Sequence, residues 1–179
     1  LHRVNRDATL AGEVIARIRK FLRAGELRRE PIPIARLLDE LLQMLQAMLT
    51  DNGVRVRVHL PTPPPAFTAD AVQLQQVILN LIVNAVDALR DTPADARALA
   101  IMVSAEPTGG VRIAVHDSGP GIRPESEAKL FDAFFYTKPD GLGMGLAISR
   151  SIIENHGGRL WLDRSEPGGA CFVFTIPDA

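Results

Sequence analysis

Hydrophobic and polar positions follow two periods along the chain, one typical of helices and one typical of strands. Apolar residues at spacings of three and four predict helices over 1–24, 34–50, 73–90 and 144–156, and Pro124 begins a further short helix. Alternation of apolar and polar residues predicts a strand over 54–60, and the segments 99–105 and 111–116 predict two strands that form a hairpin around a turn. The run over 159–177 predicts a second hairpin. Hairpins exclude a doubly wound parallel sheet. We therefore expect an α/β (α+β) two-layer sandwich, a mixed, mostly antiparallel sheet with helices on one face.

The N-terminal segment has a different pattern from the rest. Its apolar residues over 1–24 form a narrow heptad seam, Gly25 ends the helix, and Pro31 and Pro33 mark a linker. So narrow a seam needs a partner helix. It could pack on its own domain, but the strict heptad favours a helical bundle. We expect one unit over 1–29 and a second over 30–179.

Composition narrows the classes of function. The 179 residues carry a formal net charge of −1, so the composition does not indicate a basic surface that binds nucleic acid. Cys171 is the one cysteine, so a disulfide framework and a cysteine-based zinc site are excluded, as fits a cytoplasmic protein. No uninterrupted apolar run reaches the roughly 20 residues that span a bilayer. We therefore expect no membrane contact by this chain.

The helix over 73–90 carries a polar stripe beside its apolar face. Asn80, Asn84 and Asp87 lie three or four residues apart and share this stripe with two glutamines. Carboxamides on so apolar a helix are costly to bury without partners. One interpretation is a satisfied polar seam between helices. The other is a cavity wall, in which an asparagine oxygen is a hard, neutral ligand for Mg²⁺ that also carries phosphate oxygens.

Two glycine-containing segments add further signals, each weak by itself. Asp117 ends a hydrophobic strand and precedes Gly119 and Gly121, so its carboxylate could accept an exocyclic amine such as that of adenine. A tight turn with an Asx cap explains this segment as well. The run over 141–145 places three glycines before a helix, where free N–H groups bind phosphate. It matches neither a Walker A loop nor a Rossmann fingerprint.

Together these segments resemble the ATP-binding catalytic domain of bacterial sensor histidine kinases, in the GHKL superfamily with its Bergerat fold. The resemblance covers about 30–177 and rests on NLIVNAVDA, DSGPGI, FFYTK and GLGMGL, in that order. It implies ATP and Mg²⁺ as cofactors, with Asn84 holding Mg²⁺, Asp117 binding the adenine amine, and Lys138 facing the phosphates under a lid over about 132–142. Other nucleotide contacts implied by the resemblance are Asn80, Asp87, Gly119, Gly121, Ile122, Phe135, Thr137, Gly141, Leu142, Gly143, Met144, Gly145, Leu146 and Thr175.

The resemblance also places the chain within the superfamily. ATP-hydrolysing members have a glutamate where this chain has Asn80, and a carboxamide is no general base, so a kinase is favoured over an ATPase. The 1–29 unit resembles the second helix of the dimerisation and phosphotransfer bundle, and the FFYTK form resembles kinases with PAS sensor domains. This implies a homodimer, a response-regulator partner, and a phosphoacceptor histidine absent from this chain, because His2, His59, His116 and His156 all lie in unsuitable places. A non-catalytic nucleotide-binding or dimerisation module and an anti-sigma type serine kinase are the alternatives.

Overall fold

The computed structural model describes residues 27–132, 143–165 and 168–178. Four helices lie in these ranges: α1 (Ile34–Asp51), α2 (Ala71–Ala88), α3 (Pro124–Glu127) and α4 (Gly145–Asn155). The strands there are β1 (Glu30–Pro31), β2 (Arg55–His59), β3 (Thr68–Ala69), β4 (Ala98–Ala105), β5 (Val111–Asp117), β6 (Arg159–Asp163) and β7 (Cys171–Ile176). The predicted helix over 1–24 lies outside the described residues. The predicted order of the other helices and main strands is confirmed.

Five strands form one sheet in the order β2-β4-β5-β7-β6. The β4–β5, β5–β7 and β6–β7 pairs are antiparallel, with Ile101 opposite Val115 and Ile113 opposite Phe174. The β2–β4 pair is parallel because α2 carries the chain between these two strands. The predicted mixed, mostly antiparallel sheet is therefore confirmed.

The main hydrophobic core lies between one face of the sheet and the helices. Strand alternation turns Ile101, Ile113 and Phe174 toward the helices, and all three are fully buried. Helix α2 fills the centre and buries Leu74, Val77, Ile78, Leu81, Ile82, Ala85 and Val86. The opposite face of the sheet carries a smaller cluster of Met102, Ala114, Trp161, Cys171 and Val173. The sheet thus packs against the apolar face of α2, and the polar stripe with Asn80 and Asn84 lies beside α4.

The structure adds local detail to the predicted elements. A two-stranded antiparallel pairing of β1 with β3 was not predicted, because two-residue strands carry no periodic signal. The short helix that begins at Pro124 ends at Glu127, and two 3₁₀ turns occupy Leu89–Asp91 and Ala94–Ala96. The N-cap of α2 is Asp70, whose Oδ1 accepts from the backbone N–H of Gln73 at 3.0 Å.

Helix α2 corrects the expectation drawn from apolar run length. With the turn that follows it, the span Ala71–Asp91 has 21 residues and is long and apolar enough to cross a membrane by composition. Within this structure the helix instead packs against the sheet and α4, and its apolar side chains form the core. Its high hydropathy therefore reflects burial at the centre of the fold.

Candidate functional site

Asn80 lies where α2 meets the first turns of α4. Its Nδ2 donates to the Oγ of Ser149, a side chain only 1% exposed, at 3.0 Å. Its Oδ1 lies against the backbone of Gly145, where an added Cβ would come within 2.3 Å of that oxygen. Gly145 is therefore required for the close approach of the two helices. The interpretation of a polar seam between helices is thus correct for Asn80 itself.

The N-terminus of α4 presents unpaired backbone donors. The first helical closure of α4 runs from the N–H of Ile148 to the carbonyl of Met144, and no side chain of the described residues caps this end. The N–H groups of Gly145, Leu146 and Ala147 therefore lack helical partners, as at any helix start. Together with the helix dipole they favour an anion at this point. Gly143, with φ of 61°, supplies the left-handed turn into the helix.

Asp117 ends β5 in a buried position, 3% exposed. Its Oδ1 accepts from the backbone N–H of Gly119 at 2.8 Å and from that of Ala170 at 3.4 Å. Its own backbone N–H donates to the carbonyl of Ala170 at 3.0 Å. Two backbone donors thus orient the carboxylate, and Ala170, in the segment that leads into β7, contacts Asp117 through both its N–H and its carbonyl.

Helix α2 connects the Asp117 end of the site with the Gly145 end. Gly119 packs against the carbonyl of Ala88, the last residue of α2, so that an added Cβ would lie 3.3 Å from that oxygen. Two helical turns, about 12 Å, separate Ala88 from Asn80. Asn84 is midway along the same stripe. The structure therefore brings Asn80, Asn84, Asp117, Gly119 and Gly145 together along one wall, with a buried carboxylate at one end and anion-binding donors at the other.

Asn84 has the properties of a ligand for a hard cation. Its side chain is half-buried, and no hydrogen bond joins it to another described residue. Within the described ranges there is no group of three or more His, Cys, Asp or Glu side chains that could hold a metal by itself. An amide oxygen is a ligand that Mg²⁺ accepts when phosphate oxygens complete its coordination. These residues thus fit a metal that arrives with a phosphate ligand.

The remaining predicted site residues fall into different places. Asp87 faces Arg90 one turn along, with Oδ1 to Nη2 at 2.8 Å. Ile122 and Leu146 pack partly buried against the main core, and Met144 is buried. Gly121, with φ of 76°, lies close to the carbonyl of Gly169. The predicted contacts Phe135, Thr137, Lys138, Gly141 and Leu142 lie outside the described residues.

Among the described site predictions, Thr175 lies on the other side of the sheet from the wall formed by α2. It pairs with Arg112 and Arg159 and so belongs to the sheet face opposite the helices. Ala170, at the other end of β7, is the residue that contacts Asp117. Residue type offers no reason to prefer Ala170 over Thr175, because Ala170 contacts Asp117 through its backbone.

Sequence reasoning also missed the junction at His156, whose ring is completely buried. Its Nδ1 lies 2.8 Å from the carbonyl of Ile152, and its Nε2 accepts from the backbone N–H of Asp70 at 3.0 Å. The carbonyl of His156 accepts from Nη2 of Arg29 at 2.8 Å. The ring therefore joins the start of α2 to the end of α4. The sequence signal that could have indicated it is a histidine followed by two glycines at the end of an apolar helix.

A second concave surface lies beside the loop that follows Asp117. An open pocket of about 280 Å³ lies between Pro120–Ile122, the end of β6 and the two glycines before Ala170. At its rim Arg164 donates from Nε to Oε2 of Glu127 at 2.8 Å, and this hydrogen bond lowers the pKa of Glu127. Hydrogen bonds from Ser165, helped by Arg112, lower the pKa of Asp163. The Arg164–Glu127 pair is exposed, whereas Asp163 is partly buried.

Comparison with known proteins gives a family and several structural relatives. Residues 69–179 match the family described as histidine kinase-, DNA gyrase B-, and HSP90-like ATPase. The sensor histidine kinase TmoS of Ectopseudomonas mendocina is 38% identical over 99% of this chain. The chain spans only 18% of the length of TmoS.

Solved structures share the fold. Full-length ShkA in complex with AMPPNP superposes with a TM-score of 0.76 and 32% identity, covering 89% of this chain and 34% of that one. Histidine kinase ThkA in complex with the response regulator protein TrrA gives a TM-score of 0.79 and 25% identity, covering 98% of this chain and 49% of that one.

Proposed function

Because this chain belongs to the histidine kinase-, DNA gyrase B-, and HSP90-like ATPase family, we propose that it is the ATP-binding catalytic module of a two-component sensor histidine kinase. The observation that carries the proposal is the wall on which α2 joins the buried Asp117 carboxylate to the N–H groups of α4 that have no partner within the helix. A nucleotide has a base with hydrogen-bonding groups at one end and negative charge at the other. The two ends of this wall have the complementary chemistry.

Asp117 would recognise the base. Its carboxylate can accept about four hydrogen bonds, so the backbone donors that orient it are compatible with an incoming amine. Adenine offers an exocyclic amine, whereas guanine places a carbonyl oxygen at the equivalent position, which would face the carboxylate. The site should therefore prefer ATP over GTP, as expected where a buried acceptor must be satisfied.

The other end of the wall would hold the phosphates and their metal. The N–H groups of Gly145 and Leu146 would bind phosphate oxygens, with Gly143 allowing close approach. Asn84 would hold Mg²⁺, and the metal, when bound, neutralises charge on the phosphates during transfer. Lys138 and the other expected contacts over 135–142 belong to this proposal as predictions from the sequence.

Asn80 favours phosphoryl transfer to another group over hydrolysis. Its carboxamide has no useful basicity and is already engaged with Ser149. Water activation at this position therefore lacks a base. The γ-phosphate would instead go to a histidine on a bundle helix that is absent from this chain. The parent protein would dimerise through its bundle helices and act in the cytoplasm. It would pass the phosphate to a response regulator.

The relatives and the linker support this arrangement. TmoS is a sensor histidine kinase by name, and ThkA is a histidine kinase solved with a response regulator. Strand β1 begins at Glu30 and pairs with β3, which supports a catalytic unit from residue 30 onward and a bundle segment over 1–29. Residues 1–26 lie outside the described ranges, so the bundle segment stays a prediction.

Nucleotide selectivity tests the proposed base recognition. Calorimetric titration should give an affinity for Mg·ATP at least about tenfold higher than for Mg·GTP, since a charge-assisted hydrogen bond contributes about 1.5–3 kcal/mol. Asp117→Asn should remove this preference, because an amide can also donate to guanine. Asp163→Asn, at the other pocket, is the matched control and should keep it. Equal binding of ATP and GTP by the unmodified chain would contradict the proposal.

A labelling experiment tests the direction of phosphoryl transfer. Incubated alone with Mg²⁺ and γ-labelled ATP, this chain should acquire no acid-labile phosphate. Added parent protein whose own nucleotide site is disabled should become labelled on its bundle histidine. Label on this chain itself would show that one of its four histidines is an acceptor, against our expectation.

A further inference from the structure

Ser149 is a polar residue within the apolar side of α4. Its side chain is 1% exposed, and its Oγ accepts from Nδ2 of Asn80 at 3.0 Å. It lies one helical turn after Gly145, so the bond ties α2 to the turn of α4 that carries the unpaired N–H groups. A buried hydroxyl that takes a hydrogen bond from another element fixes the relative position of both.

The bond also fixes the orientation of the Asn80 amide. With Nδ2 directed to Ser149, Oδ1 is directed to the backbone of Gly145, where even one added carbon would lie 2.3 Å away. The two helices therefore approach closely at this side chain, whose Nδ2 is held by Ser149 and whose Oδ1 leaves no room for a Cβ at Gly145. Asn84 follows Asn80 by one turn on the same stripe, so the position of Asn84 relative to the start of α4 depends on this contact.

We infer that Ser149 is a positioning residue for the phosphate end of the site, acting through Asn80. It sets the spacing between the Asn84 carboxamide and the N–H groups of Gly145 and Leu146, which must engage one Mg²⁺–phosphate group together. Apolar contacts between α2 and α4 would permit small sliding movements, whereas a buried hydrogen bond has a narrow range of length and angle. This inference rests on the proposed function.

The inference predicts an effect confined to one end of the ligand. In Ser149→Ala, the Asn80 amide loses its partner and its fixed orientation, so affinity for Mg·ATP should fall about tenfold, the equivalent of one buried hydrogen bond. Adenosine lacks the phosphates and should bind with unchanged affinity through Asp117. Ser151→Ala is the matched control: Ser151 lies on the same helix and makes no hydrogen bond to α2 within the described part of the chain.

The test is a set of titrations, in which NMR measures the binding of adenosine and calorimetry measures the binding of Mg·ATP. A double-mutant cycle over Asn80→Ala and Ser149→Ala should show that the second substitution costs little once the first is present. Ser149→Thr, which keeps the hydroxyl, should retain most of the Mg·ATP affinity. These results together support the inference.

Three outcomes would overturn it, and they differ from one another. Unchanged Mg·ATP affinity in Ser149→Ala shows that the hydroxyl does not position the phosphate end. An equal loss for adenosine and Mg·ATP shows a general structural role. An unmodified chain that binds adenosine but gains nothing from Mg²⁺ and phosphates refutes the proposed function, and this inference with it.

Discussion

Two adjacent glycines before β7 provide a matched pair for testing how the Asp117 end is built. Gly168 and Gly169 have nearly the same backbone conformation, with φ of 76° and 75°. They differ in the space around them. Among the described residues a Cβ added to Gly168 meets nothing within 4 Å, whereas one added to Gly169 would lie 1.6 Å from the carbonyl oxygen of Asp117.

Alanine substitution at the two positions therefore separates the cost of backbone strain, which both variants share, from the cost of a steric collision, which only Gly169→Ala has. Gly168→Ala incurs only the cost of an L-residue in the left-handed region, about 1–2 kcal/mol. Gly169→Ala has the same strain and must also push two backbone segments apart by more than an ångström, which adds roughly 1–3 kcal/mol or more. For a domain of this size each kcal/mol lowers the melting temperature by about 2–4 °C. We therefore expect Gly169→Ala to melt clearly below Gly168→Ala.

The same collision should weaken nucleotide binding. Gly169 precedes Ala170, whose backbone accepts from the N–H of Asp117 and donates to its Oδ1. Displacing this segment moves the carboxylate, so ATP affinity should fall about tenfold or more in Gly169→Ala and stay near that of the unmodified chain in Gly168→Ala. Thermal unfolding and calorimetric titration of both variants measure the two effects. Equal stability and equal affinity of the two variants would refute the reasoning.

Three further predictions concern stability. Phe174→Ala empties a fully buried position and should cost about 3–5 kcal/mol in urea denaturation; a loss below about 1 kcal/mol would show a loosely packed core. His156→Ala leaves the N–H of Asp70 unpaired, so the free energy of unfolding should fall by about 2–3 kcal/mol, and an unchanged value would place the ring outside the junction. Glu127→Gln removes the charge of a carboxylate that pairs with Arg164 and whose pKa is lowered in the folded protein. The stabilisation by this carboxylate is present above its ordinary pKa of 4.5 and is lost as pH falls through its lowered pKa in the folded protein. The melting temperatures of the unmodified chain and of Glu127→Gln should therefore converge in acid, and also in about 1 M salt, which screens the charge pair.

The parts of the fold that could be predicted are those with a local period. Helix α2 and strands β4 and β5 carry long, regular apolar patterns, and their bounds differ from the predicted ones by a residue or two. The β1–β3 pairing could not be predicted, because it depends on backbone groups brought together across about 40 residues. The parallel β2–β4 contact likewise follows from the path of α2 and has no pattern of its own.

The residues of the candidate site also fall into those that the sequence can indicate and those that it cannot. Asn84 and Asp117 could be predicted because unusual residue types stand in otherwise apolar elements. Ser149 could not, because a serine within a helix gives no local sign of a partner 69 positions earlier. Ala170 contacts Asp117 through its backbone, and a backbone contact leaves no trace in residue type.

The dependence of ATP binding on Mg²⁺ and Asn84 tests the central claim most directly. The unmodified chain and Asn84→Ala are titrated with ATP by calorimetry, once with Mg²⁺ and once with EDTA. We predict that Mg²⁺ strengthens ATP binding to the unmodified chain, and that Asn84→Ala abolishes this gain while binding ATP in EDTA as the unmodified chain does. An Asn84→Ala variant that binds Mg·ATP as tightly as the unmodified chain would contradict the account.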